Sequence, residues 1–400
     1  MRFINFIFIF GLFPILSVAQ TPIPDIDVLG RNNAQITTAV PFLTISPDAR
    51  SGALADAGVA TTADANSIYW NPGKMAFIEN SDGEPSDIGV SLSYTPWLRR
   101  LINDMSLNYL SGYKRLSDVE VIGLSLNYFN LGSMTFRDDE GNILNDNVRP
   151  REFAFNFAYS RKLSDNLGVG IGVKYVHSNL TQGAVTLSNG TTARPGNTAA
   201  ADIGVYYNKA FTELARKAGL IDGNLALGAS ISNLGAKISY SDNGVSNFIP
   251  ANLRLGFAAT ADIDPYNSIT FIVDVNKLLV PTPPITALDS AGNVVIIDGQ
   301  DPDRGFISGV FGSFTDAPGG FAEEIREFTA SIAAEYWYAK ALAVRAGYFT
   351  ESELKGNRKY FTLGLGVKYK KYGFDFAYLV PVQQNNSLQD TLRFTLSLSK

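Results

Sequence analysis

The most regular feature of the chain is the recurrence of apolar residues at every second position after residue 85. A period of two is the pattern of a β-strand whose two faces meet different surroundings. Fourteen segments follow it, and clear examples are residues 153–159, 167–175 and 361–369. The other segments are residues 88–94, 105–109, 122–128, 203–207, 225–231, 253–257, 269–275, 332–338, 342–348, 374–378 and 392–398. The pattern therefore predicts an all-β fold with an even number of strands.

The residues that alternate with the apolar set distinguish a membrane barrel from a soluble sandwich. A sandwich exposes these positions to water and favours charged residues there, whereas here glycine, alanine, serine and asparagine dominate. On the lipid face of a barrel, a charge at mid-depth would cost about 2–4 kcal/mol. We therefore expect the apolar set to face lipid and Glu335 to pair with Arg345 on the next strand. The charges that this arrangement assigns to the lumen include Lys174, Arg254, Asp274, Glu335 and Arg345.

The connections between these segments alternate in length, as they do in outer-membrane barrels. Long loops of about 131–150, 179–198, 235–249 and 281–327 follow odd-numbered segments, and short turns follow even-numbered ones. Residues 208–224 are an exception, because they form a long connection on the short side. This order is expected if the first strand starts in the periplasm and the long loops are extracellular.

The longest loop, about residues 281–327, carries an apolar cluster that we interpret as a partner-binding surface. Clusters of exposed aromatic residues commonly mark contact sites between proteins. The alternative is that these side chains pack the loop onto the rim of the barrel. A short helix is expected at residues 323–327, where the loop ends. The cluster consists of Phe306, Ile307, Val310, Phe311, Phe314 and Phe321.

The first nineteen residues have the pattern of an export signal. Arg2 precedes an apolar stretch from Phe3 to Leu16, and small residues at Ser17 and Ala19 suit cleavage after Ala19. The stretch is shorter than the roughly 20 apolar residues that a membrane-spanning helix needs. No later segment is long enough for such a helix, so a membrane form of the mature chain has to be a barrel.

Composition excludes several classes of function. The chain has no cysteine and one histidine, His177, which excludes disulfides, thiolate chemistry and a histidine-rich metal centre. A net charge of -5 without a basic stripe argues against nucleic acid as a partner. The acidic pairs Asp138-Asp139 and Asp301, Asp303 match no EF-hand loop and are interpreted as solvated loop residues. We therefore predict neither an enzyme nor a cofactor or metal.

Residues 20–85 precede the first strand and differ from the rest of the chain. They hold too little hydrophobic mass for an independent domain, so we expect them to lie inside or beneath the barrel. The string Tyr69-Trp70-Asn71-Pro72, with its flanks from Asp64 to Met75, is similar to the N-terminal signature of the FadL-like barrels. Together with the string from Pro41 to Arg50 it resembles more specifically the PorV family, the FadL-like barrels of the type IX secretion system. Gly73 stands where the broader family usually has alanine.

The resemblance implies a fourteen-stranded antiparallel transmembrane β-barrel, residues 86–400, with an N-terminal plug segment, residues 20–85, in the bacterial outer membrane. It also implies a protein that is not an enzyme. Members of this family associate with the secretion translocon barrel, receive cargo through its C-terminal signal domain, and deliver it to a sortase-containing attachment complex. Their partners are thus proteins and the outer-membrane lipid.

A second function remains open from the sequence, that of a FadL-like channel for a hydrophobic small molecule. Such a channel needs an apolar inner face near the plug. The inward positions are mostly glycine, serine, asparagine and charged residues, which favours protein handling. Ile68, Tyr69, Trp70 and Met75 are nevertheless candidates for lining a small apolar pocket.

Overall fold

A computed structural model describes residues 35–80, 83–99, 102, 104–137, 141–182, 193–241, 246–383 and 388–400. The expected signal peptide, residues 1–19, and the pair Asp138-Asp139 lie outside the described residues. None of the helices in this part of the chain is long and apolar enough to cross a membrane.

The described residues form eighteen strands and five short α-helices. The helices are α1 Ala49–Ala53, α2 Ser67–Trp70, α3 Thr212–Lys217, α4 Phe306–Gly312 and α5 Phe321–Arg326, and 3₁₀ turns occur at Pro41–Thr44 and Pro72–Phe77. The strands are β1 Ile88–Pro96, β2 Ser106–Ser117, β3 Glu120–Asn130, β4 Met134–Arg137, β5 Ile143–Val148, β6 Arg151–Lys162, β7 Leu167–Asn179, β8 Gly196–Ala210, β9 Asp222–Gly235, β10 Asn252–Asp262, β11 Asn267–Leu278, β12 Ile285–Leu288, β13 Val294–Asp298, β14 Phe328–Tyr338, β15 Leu342–Thr350, β16 Lys359–Tyr369, β17 Tyr372–Pro381 and β18 Leu392–Ser399.

Fourteen of these strands form a closed antiparallel barrel, in which β18 pairs with β1. The pairs β4–β5 and β12–β13 are separate hairpins within two of the long loops. Closure leaves no strand edge unpaired in the wall, which is the condition for a sheet to lie in lipid, where water cannot satisfy backbone groups. The predicted all-β, fourteen-stranded antiparallel barrel is confirmed.

The outer wall is apolar because thirteen of the barrel strands turn the predicted apolar set outward. On β16, for example, Phe361, Leu363, Leu365 and Val367 are all exposed on the outer face. Buried small and polar residues alternate with them, as the burial pattern of the strand shows. The band of exposed aliphatic and aromatic side chains matches what a barrel presents to lipid.

Strand β2 is the exception, and the prediction for it is wrong. Met105, Leu107 and Tyr109 were expected to face lipid, but they are buried on the inner side, while Leu110 lies exposed on the outer face. The reason is that the N-terminal segment supplies apolar partners in the lumen, since Leu107 shares a buried cluster with Phe42. The alternation indicates that a segment is a strand. Which of its two faces points to lipid depends on what occupies the lumen.

Residues 35–80 run through the lumen from the long-loop end to the short-turn end of the barrel. Near the upper end the Ala39 N–H donates to the Phe248 carbonyl in the loop after β9, at 2.9 Å. Near the lower end the Ser86 N–H donates to the Ile78 carbonyl, at 3.0 Å, just before β1 begins. We call residues 35–80 the plug segment. Its path crosses the lumen and places its side chains against the inner wall along most of its length.

The outward assignment predicts how the barrel responds to a charge on its wall. Leu365 lies in the middle of β16 and Tyr369 at its short-turn end, and both are exposed on the outer face. We expect Leu365→Arg to lower the free energy of unfolding by about 2–4 kcal/mol and Tyr369→Arg by about 0–1 kcal/mol. Urea titration of the barrel in lipid vesicles measures both. Equal losses for the two variants would contradict the assignment of Leu365 to the lipid face.

Candidate functional site

The lumen contains a chain of ion pairs between the plug segment and the barrel wall. Glu335 on β14 lies directly opposite Arg345 on β15, and the Arg345 Nε donates to Glu335 at 2.6 Å. The other oxygen of Glu335 accepts from Arg50 of the plug segment at 2.8 Å. Arg50 also pairs with Asp64, and Arg345 with Asp375. One wall carboxylate thus holds two arginines, one from the wall and one from the plug segment.

The other predicted lumen charges also contact the plug segment or its surroundings. Asp274 accepts hydrogen bonds from the backbone N–H groups of Gly58 and Val59, at 2.7 and 3.0 Å. The Arg254 guanidinium lies over the rings of Tyr69 and Trp70, 5.1 and 5.2 Å from their centroids. At such distances a cation is attracted by the electron-rich ring face. The wall therefore contacts the backbone and the aromatic rings of the plug segment, in addition to forming ion pairs with it.

Lys174 is placed differently. Its ammonium lies 3.1 Å from the Asp202 carboxylate and donates to Asn233 at 2.6 Å, and both partners belong to the wall. Lys174 therefore joins β7, β8 and β9 rather than holding the plug segment.

The predicted plug motif is a set of hydrogen bonds that shape the segment. Trp70 donates its indole N–H to Asp48 at 2.7 Å, and the same carboxylate caps α1 by accepting from the Ser51 N–H. The Tyr69 hydroxyl lies 3.0 Å from the carbonyls of Leu43 and Ile45 and donates to them. The motif thereby joins residues 43–48 of the plug segment to residues 69–70, which are distant in sequence.

Asn71 and Pro72 bring this motif against the barrel wall. The Asn71 amide donates to the Val205 carbonyl on β8 at 2.9 Å, and its oxygen accepts from the Gly73 N–H. The Pro72 backbone passes so close to β7 that a Cβ at Gly170 would lie 2.4 Å from it. A Cβ at Gly73 would lie 2.7 Å from the Gly204 carbonyl. Glycine on both surfaces allows this contact, and alanine at position 73 would require the wall to shift.

Lys74 follows the motif and is buried without a carboxylate within hydrogen-bond distance in the described structure. Its ammonium donates to the carbonyl of Gly58 and to the hydroxyl of Thr61, at 2.5 and 2.9 Å. The cost of burying this ammonium is offset by three oxygen acceptors, which fix the turn at residues 58–61.

The plug segment packs against the inner wall through much of the described lumen. The cavity beside Tyr69, Tyr109 and Lys174 has a volume of about 10 Å³. Such a volume holds about one water molecule. The Tyr109 hydroxyl and oxygens of Asn127 and Asn156 face this region without a protein partner, which suits a water and not an apolar ligand.

The long loop presents part of the predicted apolar cluster to solvent. Ile307, Phe311 and Phe321 are 68%, 73% and 79% exposed, and Phe314 is 41% exposed. We call Ile307, Phe311, Phe314 and Phe321 the apolar face of the loop.

Two members of the predicted cluster are not on this face. Val310 is 5% exposed and packs with Ala251 and Leu279, so its assignment to an exposed patch is wrong. Phe306 packs against the same buried cluster and is partly covered. Val310 packs beside the start of β10 and the end of β11, so the flank of α4 that carries Phe306 and Val310 faces the rim. The cluster thus combines both interpretations, with rim packing on one side of α4 and exposure on the other.

A buried charge cluster attaches the loop to the barrel. Lys277 at the end of β11 pairs with Glu324 and Glu327, at 3.0 and 2.5 Å. Lys355, in the loop after β15, pairs with Glu323 and Glu327. We call these five residues the loop clamp. The sequence predicts a helix here but not the ion pairs of the loop clamp, although the spacing of the glutamates can be read from the sequence.

The hairpin β12–β13 is a second feature that sequence analysis missed. Val294, Val295, Ile296 and Ile297 are consecutive, and all four are exposed. An exposed strand of four aliphatic residues in a two-stranded sheet is unusual for a surface loop.

No group of three or more metal-ligating side chains occurs among the described residues. His177 lies on the outer face, where its ring contacts Phe153 and its Nδ1 lies 2.8 Å from Asn197.

A closed barrel with an apolar wall and a plug segment in its lumen is a bacterial outer-membrane protein. A family model described as type IX secretion system protein PorV matches residues 29–285, which is more than half of the chain. The chain belongs to this family. Comparison with curated proteins gave no match.

Solved structures with a similar course of the chain are hydrocarbon channels and a FadL homologue. A mutant of the monoaromatic hydrocarbon channel TodX has 15% identity and a TM-score of 0.48, over 88% of this chain and 98% of that chain. The Pseudomonas putida toluene transporter TodX has 12% identity and a TM-score of 0.45, over 88% and 96%. A Pseudomonas aeruginosa FadL homologue has 13% identity and a TM-score of 0.39, over 89% and 98%.

The ion pairs of Glu335 give a test of how the plug segment is held. Glu335→Gln leaves the buried Arg50 and Arg345 without their shared carboxylate, so we expect a loss of about 3–5 kcal/mol in the free energy of unfolding. Glu353→Gln is the matched control, because it removes the same charge from an exposed pair with Lys359 and should cost about 0–1 kcal/mol. Urea unfolding followed by tryptophan fluorescence measures both, and similar losses would show that Glu335 is not a buried link.

Proposed function

We propose that this outer-membrane protein is a docking component of the type IX secretion system. In this proposal its extracellular loop binds the secretion translocon barrel, and it receives cargo through the C-terminal signal domain for transfer to the sortase-containing attachment complex. The observation that carries the proposal is the apolar face of the long loop, which is exposed on a loop that is itself held in place. Membership of the PorV family supports the same class of function.

The apolar face has the properties of a protein contact site. Ile307 and Phe311 are four residues apart on α4, so their side chains lie on the same side of the helix. Large apolar side chains exposed together are the usual centre of a protein interface. The loop clamp buries five charged groups to fix α5 against the barrel, so the loop does not have to be ordered on binding.

The second candidate, a channel for a hydrophobic small molecule, has less support. Pockets for such ligands have volumes of about 300–1,000 Å³, and the lumen cavity in the described residues has about 10 Å³. Ile68, Trp70 and Met75, which were candidates for an apolar pocket, are buried in contact with protein. We propose that the predicted plug segment, residues 20–85, keeps the lumen closed while the loops contact other proteins.

The experiment removes two side chains of the apolar face and leaves the fold intact. The double variant Ile307→Ser, Phe311→Ser changes two exposed side chains, so the unfolding transition should not move. We expect its association with the translocon barrel to fall by about tenfold or more, the effect of losing two interface hot spots. Co-purification from outer membranes measures the association, and the amount of cargo reaching the cell surface measures secretion.

Leu214→Ser is the matched control. Leu214 is 66% exposed on α3, at the short-turn end of the barrel, so the variant removes one comparably exposed apolar side chain at the opposite end. Association and secretion should remain unchanged in this variant. Normal association of the loop variant with the translocon barrel would contradict the proposal. An equal loss of association in both variants would also contradict it.

A further inference from the structure

A groove of about 600 Å³ lies on the outer wall of the barrel near its long-loop end. One side is formed by aromatic and aliphatic side chains of β6 and β7, including Phe155, Val173 and Tyr175. Small residues of β8 and β9, such as Ala201 and Gly235, form the floor. On the other side Phe306, the first residue of α4, reaches the groove from the long loop.

A β-bulge produces this hollow in the wall. The pairing of β8 with β9 shifts between Ala201 and Ile203, which lie opposite Leu234 and Ile231, so Ser232 and Asn233 together oppose Asp202. Asn233 has a φ of 60°, in the left-handed region, as bulged residues often have. The bulge turns the end of β9, and Leu234 and Gly235 lie beyond the last residue of β9 that pairs with β10.

The groove is closed toward the lumen. Asp202 accepts from the Asn233 N–H at 2.8 Å, and Lys174 donates to the side chains of both residues. The Asn233 amide donates further to the Pro250 carbonyl at 3.0 Å. These hydrogen bonds connect β7, β8 and β9 with the loop before β10 beneath the groove floor. Lys174 lines both this groove and the small lumen cavity, so its ion pair with Asp202 forms the barrier between them.

The position of the groove identifies the kind of molecule that reaches it. Phe155, Val173 and Tyr175 belong to the exposed apolar band, so the groove is continuous with the surface that contacts lipid. Toward the long-loop end the Tyr175 hydroxyl donates to Asn197, which also contacts His177. Such polar outward groups beside an aromatic ring are typical of the level of the lipid headgroups. The groove thus begins just inside the hydrocarbon region of the outer leaflet.

We propose that this groove binds an acyl chain of an outer-leaflet lipid, which lies over Ala199 and Ala201 and contacts Phe306. The inference does not depend on the proposed function of the loop. Lipid tails are as apolar as the wall, so the preference comes from the packing of the chain in the hollow. Because Phe306 begins the helix that carries Ile307 and Phe311, the bound chain contributes to the position of the apolar face.

The test uses the full barrel in phosphatidylcholine vesicles that contain a trace of phosphatidylcholine with a diazirine on one acyl chain. After irradiation, mass spectrometry compares labelling of residues 199–201 and 234–235 with labelling at Ala346, a lipid-facing alanine of β15. We expect about threefold more labelling in the groove, a modest preference of the size that packing in membranes gives.

Two substitutions separate the groove from the general wall. Ala201→Phe fills the groove and should abolish the excess labelling, and Ala199→Leu serves the same purpose if the first variant fails to fold. Ala346→Phe adds the same side chain elsewhere on the wall and should leave the excess unchanged. The proposal is overturned if labelling of the groove equals that of Ala346, or if it persists in both filled variants. Protection of the groove from lipid by a copurifying protein would also overturn it.

Discussion

Lipid offers no hydrogen-bond partners to a polypeptide backbone, and this constraint determines the rest of the molecule. The wall satisfies it by pairing β1 with β18, which closes the sheet. A closed sheet of this size encloses a lumen that has to be filled by protein or water. The plug segment occupies it, and apolar residues of the inner wall pack against apolar residues of the plug segment.

Filling a polar lumen with a peptide requires that each buried charge have an ion-pair or hydrogen-bond partner. The plug segment brings Arg50, Asp48 and Lys74 into positions with little solvent, and each has hydrogen-bond partners there. Removing one member of such a set leaves the others uncompensated, and the cost exceeds that of losing a surface ion pair. The arrangement favours one position of the plug segment, because a shift along the lumen would break the Arg50–Glu335 ion pair and the bonds from the Gly58 and Val59 N–H groups to Asp274 at once.

The alternation of apolar residues was sufficient to predict the number of barrel strands and the outward face of most of them. It failed at Met105, Leu107 and Tyr109, because an apolar residue can face either lipid or an apolar plug segment. It could not indicate the bulge at Asn233, which depends on a local backbone conformation and on Asp202 across the strand pair. In the loop, the apolar residues could be found from sequence, but the burial of Val310 depends on Ala251 and Leu279, which are distant in the chain.

The hairpin β12–β13 has a consequence for the protein when it is alone. Strand β13, Val294–Asp298, begins with four consecutive aliphatic residues and contains no proline, and its backbone has a free edge in a two-stranded sheet. Strands of this composition self-associate when their edges meet. The isolated barrel therefore carries an aggregation hazard at its long-loop end, where detergent around the lipid-facing wall does not cover it.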